Sequence, residues 1–419
     1  MLFVTVAINY LDRGNLGVAA PRMAGELGID PVHLGILLSA FGSAYALFQI
    51  PGGWLVDRVG PRPLYAAACG LWSLATLAQG LASSLLVLVA LRLLVGLFEA
   101  PAFPLCNRLA TTWFPEGERA GTIGLYTSGQ YVGLGFLTPL LITAQDHFGW
   151  RAIFLITGGL GLAWAGLWLV LYRDPDEEPG LSKKEREHIR AGGGLVDAGG
   201  DRARALRFNP GDLRFALTQR RLWGLYIGQF AINTIPWFFL TWFPTYLVTY
   251  RHVELAHSRL STALPFLAAF VGVISAGAVS DLLVRRGVSP SLARKGPIIA
   301  GLVLSTSVIG ANFVTDPHWV IFFMTVGFFG SGFSAIAWVM VSLMAPRPLI
   351  GLVGGIFNFS GALASVFVPL LIGVIVKYGG FAPALAFVSV VALCGALSYL
   401  FLVGGVERIK DPPRSPSPG

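Results

Sequence analysis

Asp12, Arg13, Arg92 and Glu99 are ionisable residues set inside two stretches that are otherwise apolar. A charge at bilayer depth costs about 2.5–3.5 kcal/mol on insertion scales and persists mainly where it lines a polar cavity, a substrate site or a proton path. On a helix, Asn9 and Arg13 are four apart and Tyr10 and Arg13 three apart, so an amide, a phenol and a guanidinium share one face. A guanidinium can grip a carboxylate through two parallel hydrogen bonds, which a lysine ammonium cannot reproduce. Asp12 lies about 100° round the same helix, so it need not pair with Arg13. Arg92 and Glu99 are seven apart, two turns and roughly 10 Å along one face. Glu99 precedes Ala100-Pro101, where the proline interrupts the backbone ladder. Apolar surroundings disfavour an ionised carboxylate and a neighbouring guanidinium favours it. That balance makes Asp12 and Glu99 candidate proton carriers, with Arg92 stabilising the ionised form of Glu99. The competing reading is a set of ion pairs that only tie helices together.

The elements that hold these residues must be membrane helices. The chain of 419 residues is 54% hydrophobic and 12% charged, with mean hydropathy +0.68, where a soluble domain carries about 25% charged residues. Reading for apolar runs of about 20 residues predicts twelve spans, at 1–21, 33–56, 63–81, 83–106, 120–144, 151–172, 222–249, 258–282, 296–313, 317–345, 349–376 and 381–404. The fold class is all-α integral membrane, with two repeated six-helix halves. The expected division is an N-terminal bundle at 1–172, a cytoplasmic linker at 173–221, a C-terminal bundle at 222–405 and a cytoplasmic tail at 406–419. The linker holds 11 Lys/Arg and 9 Asp/Glu and predicts a short amphipathic helix from Lys183 to Arg190. With both termini cytoplasmic, 23 of the 30 Lys+Arg fall on that side, so the +8 charge follows the positive-inside rule and not a nucleic-acid surface. No cleavable leader is expected, because the first span carries Asp12 and Arg13 and lacks a basic start.

The halves repeat a turn. Gly53-Trp54-Leu55-Val56-Asp57-Arg58-Val59-Gly60-Pro61-Arg62 closes the second span, and Gly277 through Gly287, with Asp281, Arg285 and Arg286, closes the eighth. With twelve spans and a central loop, this pattern resembles the major facilitator superfamily over essentially the whole chain. Asn9-Tyr10-Leu11-Asp12-Arg13, the stretch from Arg92 to Pro104, Trp113-Phe114-Pro115 with Glu118-Arg119, and Gln130-Tyr131 narrow the likeness. Together they resemble its anion:cation symporter branch, and within it the sugar-acid permeases of the galactonate and hexuronate type. The resemblance implies an all-α fold of two pseudo-symmetric bundles, proton-coupled uptake of an organic anion such as galactonate by alternating access, and no cofactor. It implies proton coupling at Asp12, Glu99 and Arg92, and substrate binding at Arg13, Tyr10, Tyr45, Gln130, Trp338 and Asn358. It also implies gating at Asp57, Arg58 and Arg62, with Arg119 on the same cytoplasmic face.

Weaker polar candidates in the second half are Gln229, Asn233, Trp242, Tyr246 and Ser360, which also serve as plain helix-to-helix hydrogen-bonding groups. Ala335 and Ala337 beside Trp338 offer fewer hydroxyls than the resembling permeases, which keeps an aromatic or dicarboxylic acid in view. An anion exchanger or facilitator uses the same Arg13 site with the carboxylates structural. A drug exporter is disfavoured by two buried arginines. An enzyme is disfavoured because no nucleophile–base or metal constellation is readable. The histidines (His33, His147, His188, His252, His257, His318) and the cysteines (Cys69, Cys106, Cys394) have no metal-ligand spacing, and no catalytic or metal residue is assigned. No phosphate-binding G-x-x-x-x-G-K-[ST] loop is present. The expected partners are a small organic anion, protons and lipid, in a monomer without nucleic acid. Twenty-five Arg against five Lys lean toward a GC-rich bacterial source, hence the inner membrane.

Overall fold

The structure is a computed structural model that describes residues 1–135, 137–175, 177–194, 196, 210–253, 259–346 and 349–410. The described residues form helices α1 (Leu2–Leu27), α2 (Pro31–Val59), α3 (Pro61–Gln79), α4 (Leu85–Glu99), α5 (Ala102–Trp113), α6 (Glu116–Gly135), α7 (Leu137–Phe148), α8 (Trp150–Leu171), α9 (Lys183–Ala191) and α10 (Pro210–Thr218). They continue as α11 (Arg220–Thr241), α12 (Phe243–Thr245), α13 (Arg259–Arg285), α14 (Pro290–Ser305), α15 (Pro317–Phe333), α16 (Ala337–Met344), α17 (Ile350–Gly379) and α18 (Phe381–Leu397). No strand occurs among them. Each expected span has a helical counterpart, and several passes are built from two pieces.

The breaks have local causes. Pro101 separates α4 from α5, because it has no N–H to continue the ladder. Gly28 ends α1 in the left-handed conformation at φ 63°, and Asp30 then caps α2 by accepting from the backbone N–H of Val32 and His33. Ser84, Ser289 and Asp316 start α4, α14 and α15 in the same way. Among the described residues, eight helical passes are long and apolar enough to cross a membrane. The α1 pass is different in character: Asn9, Asp12, Arg13 and Asn15 are all buried in it, so its polar groups face protein.

The chain divides into two compact units, Met1–Leu206 with Leu247–Arg259, and Arg207–Tyr246 with Leu260–Gly419. In the first, α1 packs on α6 and α8, α2 on α4, and α3 on α8 and α4. Small residues set these distances, as expected where lipid supplies no hydrophobic drive between helices. A Cβ on Gly96 of α4 would stand 2.3 Å from the carbonyl oxygen of Phe41 in α2. One on Gly133 of α6 would stand 2.5 Å from that of Ala7 in α1. In the second unit α11 packs on α17 and α18, and α14 on α15, around buried Tyr226, Met340, Phe357 and Tyr399. Asp281 of the repeated turn accepts from Arg294 at 2.9 Å, fastening α13 to α14. The linker helix α9 forms as expected, capped by Ser182.

Gly133→Val should push α1 from α6 and lower thermal stability in detergent by about 1–3 kcal/mol. Gly124→Ala in the same helix, where a methyl meets nothing within 4 Å, should match or exceed the wild type in the same melt.

Candidate functional site

Three packing decisions in the first unit bring the charged residues together. The close approach at Gly96 holds α4 against α2 next to Phe41 and Tyr45, since the added Cβ would also lie 3.1 Å from the Tyr45 nitrogen. The break at Pro101 nests on Gly52 of α2, whose Cβ would come within 3.1 Å of the proline nitrogen. Glu99 therefore ends α4 at the centre of the bundle. The α1 pass supplies Arg13 and Asp12 to the same region.

Arg13 donates through Nε to Glu99 Oε1 at 2.5 Å, with the two side chains 6% and 0% exposed. The guanidinium lies over four rings, Tyr45 at 4.6 Å, Tyr10 at 4.7 Å, Phe41 at 5.3 Å and Phe103 at 5.6 Å. Such faces attract a cation without neutralising it, by about 0.5–2 kcal/mol each depending on desolvation. The Nη2 group of Arg13 and Oε2 of Glu99 have no hydrogen-bond partner. Glu99 thus occupies one donor of the Nε–Nη2 edge, the edge that can grip a carboxylate with two.

Arg92 sits differently. Its Nη1 donates to the carbonyl of Asp12 at 3.2 Å and its Nη2 to that of Arg13 at 3.4 Å, beneath the Phe41 ring at 5.5 Å. The ion pair to Glu99 therefore comes from Arg13 and not from Arg92, which is spent on the α1 backbone. The expected stabilisation of Glu99 by Arg92 is through space. Asp12 faces away from this group. Its Oδ2 accepts from the indole of Trp72 at 3.1 Å and its Oδ1 from Asn15 at 3.4 Å, and Asn15 also donates to Thr157 at 3.0 Å.

Among the other expected binding residues, Tyr10 and Tyr45 belong to the Arg13 cage, while Gln130 is partly buried on α6. In the second unit Trp338 is 48% exposed and edge-on to Phe357 at 4.9 Å, and Asn358 is partly buried on α17. Asn233 donates to the carbonyl of Gln229, both against Gly361. Ser360 and Trp242 bond to the carbonyls of Ile356 and Pro369, and Tyr246 packs on Phe381. Of the gating group, Arg58 is exposed, and Arg62 donates to Glu177 at 3.0 Å and to the Leu169 carbonyl at 2.7 Å, partners of its own unit. The side chains of Asp57 and Arg119, and all of His257, lie outside the described residues. Trp72, Thr157, Phe41, Phe103 and Asn15 were not singled out in the sequence, although Asn15, one turn beyond Asp12 on the same helix, carries the polar signal that could have found it.

An all-α, multi-pass bundle with opposite charges buried at its centre is the architecture of a membrane carrier. A family model described as Major Facilitator Superfamily matches residues 2–305. A D-galactonate transporter of Escherichia coli O6:H1 is 50% identical over 98% of this chain and 95% of its own length. A probable galactarate/D-glucarate transporter of Escherichia coli strain K12 is 38% identical over 99% and 94%. Among solved structures, a bacterial homologue of the human lysosomal transporter Spinster, inward-facing and occupied, superposes with TM-score 0.67 over 96% of this chain and 93% of that one. At 17% identity that likeness concerns the fold alone. The chain belongs to the Major Facilitator Superfamily.

Breaking the buried pair from one side should cost more than deleting it. Glu99→Met leaves Arg13 charged and uncompensated, an expected loss of about 3–5 kcal/mol, whereas Arg13→Met with Glu99→Met should recover most of it. Thermal unfolding of the purified variants, read as a double-mutant cycle, checks this.

Proposed function

We propose that this protein is a proton-coupled uptake symporter for an organic anion of the sugar-acid class, of the bacterial inner membrane, working as a monomer with both termini cytoplasmic. The observation that carries the reading is the single-donor salt bridge from Arg13 to Glu99 inside an aromatic cage. Relatives named for galactonate, galactarate and glucarate, similar over almost their whole length, support the substrate class.

The chemistry follows from competition for one guanidinium. While Glu99 is ionised it holds Nε, and an incoming carboxylate meets an occupied edge. Protonation of Glu99 removes its charge and releases Nε, so a substrate carboxylate takes Nε and Nη2 together. Asp12 carries the second titratable position. Tyr10, Tyr45 and Gln130 of the first unit would meet the hydroxyls of a polyhydroxylated acid, and Trp338 and Asn358 are the binding candidates that the second unit contributes. Release of the anion and proton on the other side of the membrane, by alternating access with Asp57, Arg58 and Arg62 controlling the cytoplasmic face, completes the cycle. The 1–172 and 222–405 bundles joined by 173–221 are the moving parts.

A second reading has one specific observation behind it. Ala335 and Ala337 give the wall beside Trp338 no hydroxyls, and a relative from Cupriavidus necator that is 31% identical is named a probable sulfoacetate transporter. A smaller or less hydroxylated anion fits that wall.

Purified protein in liposomes, offered labelled galactonate, gluconate, glucuronate and glucarate, should accumulate at least one of them only under an inward proton gradient. Glu99→Gln should abolish accumulation and keep counterflow. Arg13→Lys should weaken uptake by roughly tenfold or more, because the bidentate grip is lost. Counterflow without accumulation in the wild type would instead make the protein an exchanger.

A further inference from the structure

The carboxyl of Asp12 is enclosed by Trp72 of α3, Asn15 of α1 and Thr157 of α8, and all four side chains are 0% exposed. The helices around them are in close contact. A Cβ on Gly158 of α8 would stand 2.8 Å from the carbonyl oxygen of Ser73 in α3, and one on Gly161 would stand 2.1 Å from its hydroxyl. A change of protonation at Asp12 must therefore be met by the partners already packed on it.

Those partners differ in what they can offer. An indole N–H donates and never accepts, so Trp72, 3.1 Å from Oδ2, suits a carboxylate oxygen or the carbonyl of the acid. A proton taken up by Asp12 then belongs on Oδ1. That oxygen faces the amide of Asn15, whose Nδ2 donates to it at 3.4 Å and to Thr157 Oγ1 at 3.0 Å. Thr157 faces the Asp12 carboxyl as well. One amide nitrogen thus serves two acceptors, while Asn15 Oδ1 has no hydrogen-bond partner among the described residues.

A proton on Oδ1 would set an O–H against an N–H. Two opposed donors lose a bond, and a buried polar group left unpaired costs about 1–3 kcal/mol. Turning the amide over about its Cβ–Cγ bond removes the conflict. Asn15 Oδ1 then stands where Nδ2 stood and accepts from the Asp12 O–H. It also accepts from Thr157, since a hydroxyl donates as well as accepts. The torsion is broad and roughly two-fold, and the turn needs no space beyond what the amide fills. One amide atom goes unpaired in either setting, so the proton alone decides between them.

The charged and titratable groups around Asp12 are Arg13 on its own helix, Arg92 and Glu99 from α4, and Cys69 from α3. From α2 Tyr45 turns to Arg13, from α6 Tyr131 lies by Tyr10, and from α7 Asp146 pairs with Arg22. The α8 helix presents Thr157.

We propose that Asn15 and Thr157 form a reversible hydrogen-bonding pair that holds Asp12 in both protonation states, donating to the carboxylate and accepting from the acid. Trp72 fixes which oxygen takes the proton. One O–H forms on Asp12 Oδ1 with the proton that the transport cycle delivers, and the amide changes orientation without any covalent change. Asn15 and Thr157 are positioning residues in this scheme. The inference rests on the reading of Asp12 as a proton carrier.

The test reads acid and amide together. Infrared difference spectra of the full-length protein in lipid are taken across a pH titration, with isotope-labelled asparagine carbonyls. Asp12→Asn assigns the carboxyl band and Asn15→Leu the amide band. As Asp12 protonates, the Asn15 carbonyl should move to lower frequency because it gains two donors, and Asp12→Asn should abolish the movement. Thr157→Val, nearly the same in shape, should cut that shift to about half, one donor remaining of two. Thr157→Ser should restore it. An Asp12 band that titrates beside a silent Asn15 amide overturns the reversal and leaves Asp12 a carrier. A wild-type protein in which no Asp12 band titrates overturns the carrier reading and the reversal together. Equal loss of the amide shift in Thr157→Val and Thr157→Ser marks a packing role for Thr157 and overturns the pair.

Discussion

The structure depends on neutralising four charges without water. Asp12, Arg13, Arg92 and Glu99 are 0–6% exposed, and among the described residues they are the only charged side chains so deeply buried. Two cations and two anions sum to zero, but each also needs its own contact, since an isolated buried ion costs far more than any packing gain returns. The bundle meets this with geometry. Gly96 lets α4 close on α2, Pro101 ends α4 at Glu99, and α1 offers backbone carbonyls as well as side chains.

The two arginines show how different those solutions are. Arg92 spends both terminal nitrogens on carbonyls of α1, oxygens that cannot be titrated and cannot leave. It is an anchor. Arg13 has one carboxylate on one donor and is otherwise enclosed by the aromatic residues of its cage, the phenols of Tyr10 and Tyr45 among them. Ring faces hold a guanidinium in place without consuming its N–H groups. The same residue type is held by backbone carbonyls in one place and, in the other, by a carboxylate that on the proposed reading can be exchanged.

Much of this was legible in sequence, and the failures are instructive. The helical passes follow from apolar length alone, and the break after Glu99 from the chemistry of proline. Which residues share a face of α1 followed from the 3.6-residue repeat. That repeat describes one helix, however, and says nothing of which neighbour is nearer. Arg92 and Glu99 are matched along α4, yet Glu99 meets Arg13 and Arg92 meets the α1 backbone because α1 lies against both. Trp72 and Thr157 sit among apolar residues with no spacing to distinguish them, so their bonds around Asp12 come only from tertiary packing.

The second unit is built on another principle. Its buried polar side chains, among the described residues, are neutral: Gln229, Thr234, Thr241, Thr245 and a set of serines, several of them bonded to backbone carbonyls. Neutral groups need no counter-charge, so that unit can change its surroundings at little electrostatic cost. The first unit cannot. On the proposed reading, a proton on Glu99 leaves its cluster one unit positive in a site closed to water, and an arriving carboxylate restores neutrality. Each ligand then binds better in the presence of the other, by the same free energy in either order. Coupling of proton and anion is in that case a consequence of where the charges are buried, and it requires only that Arg13 be free to choose between two carboxylates.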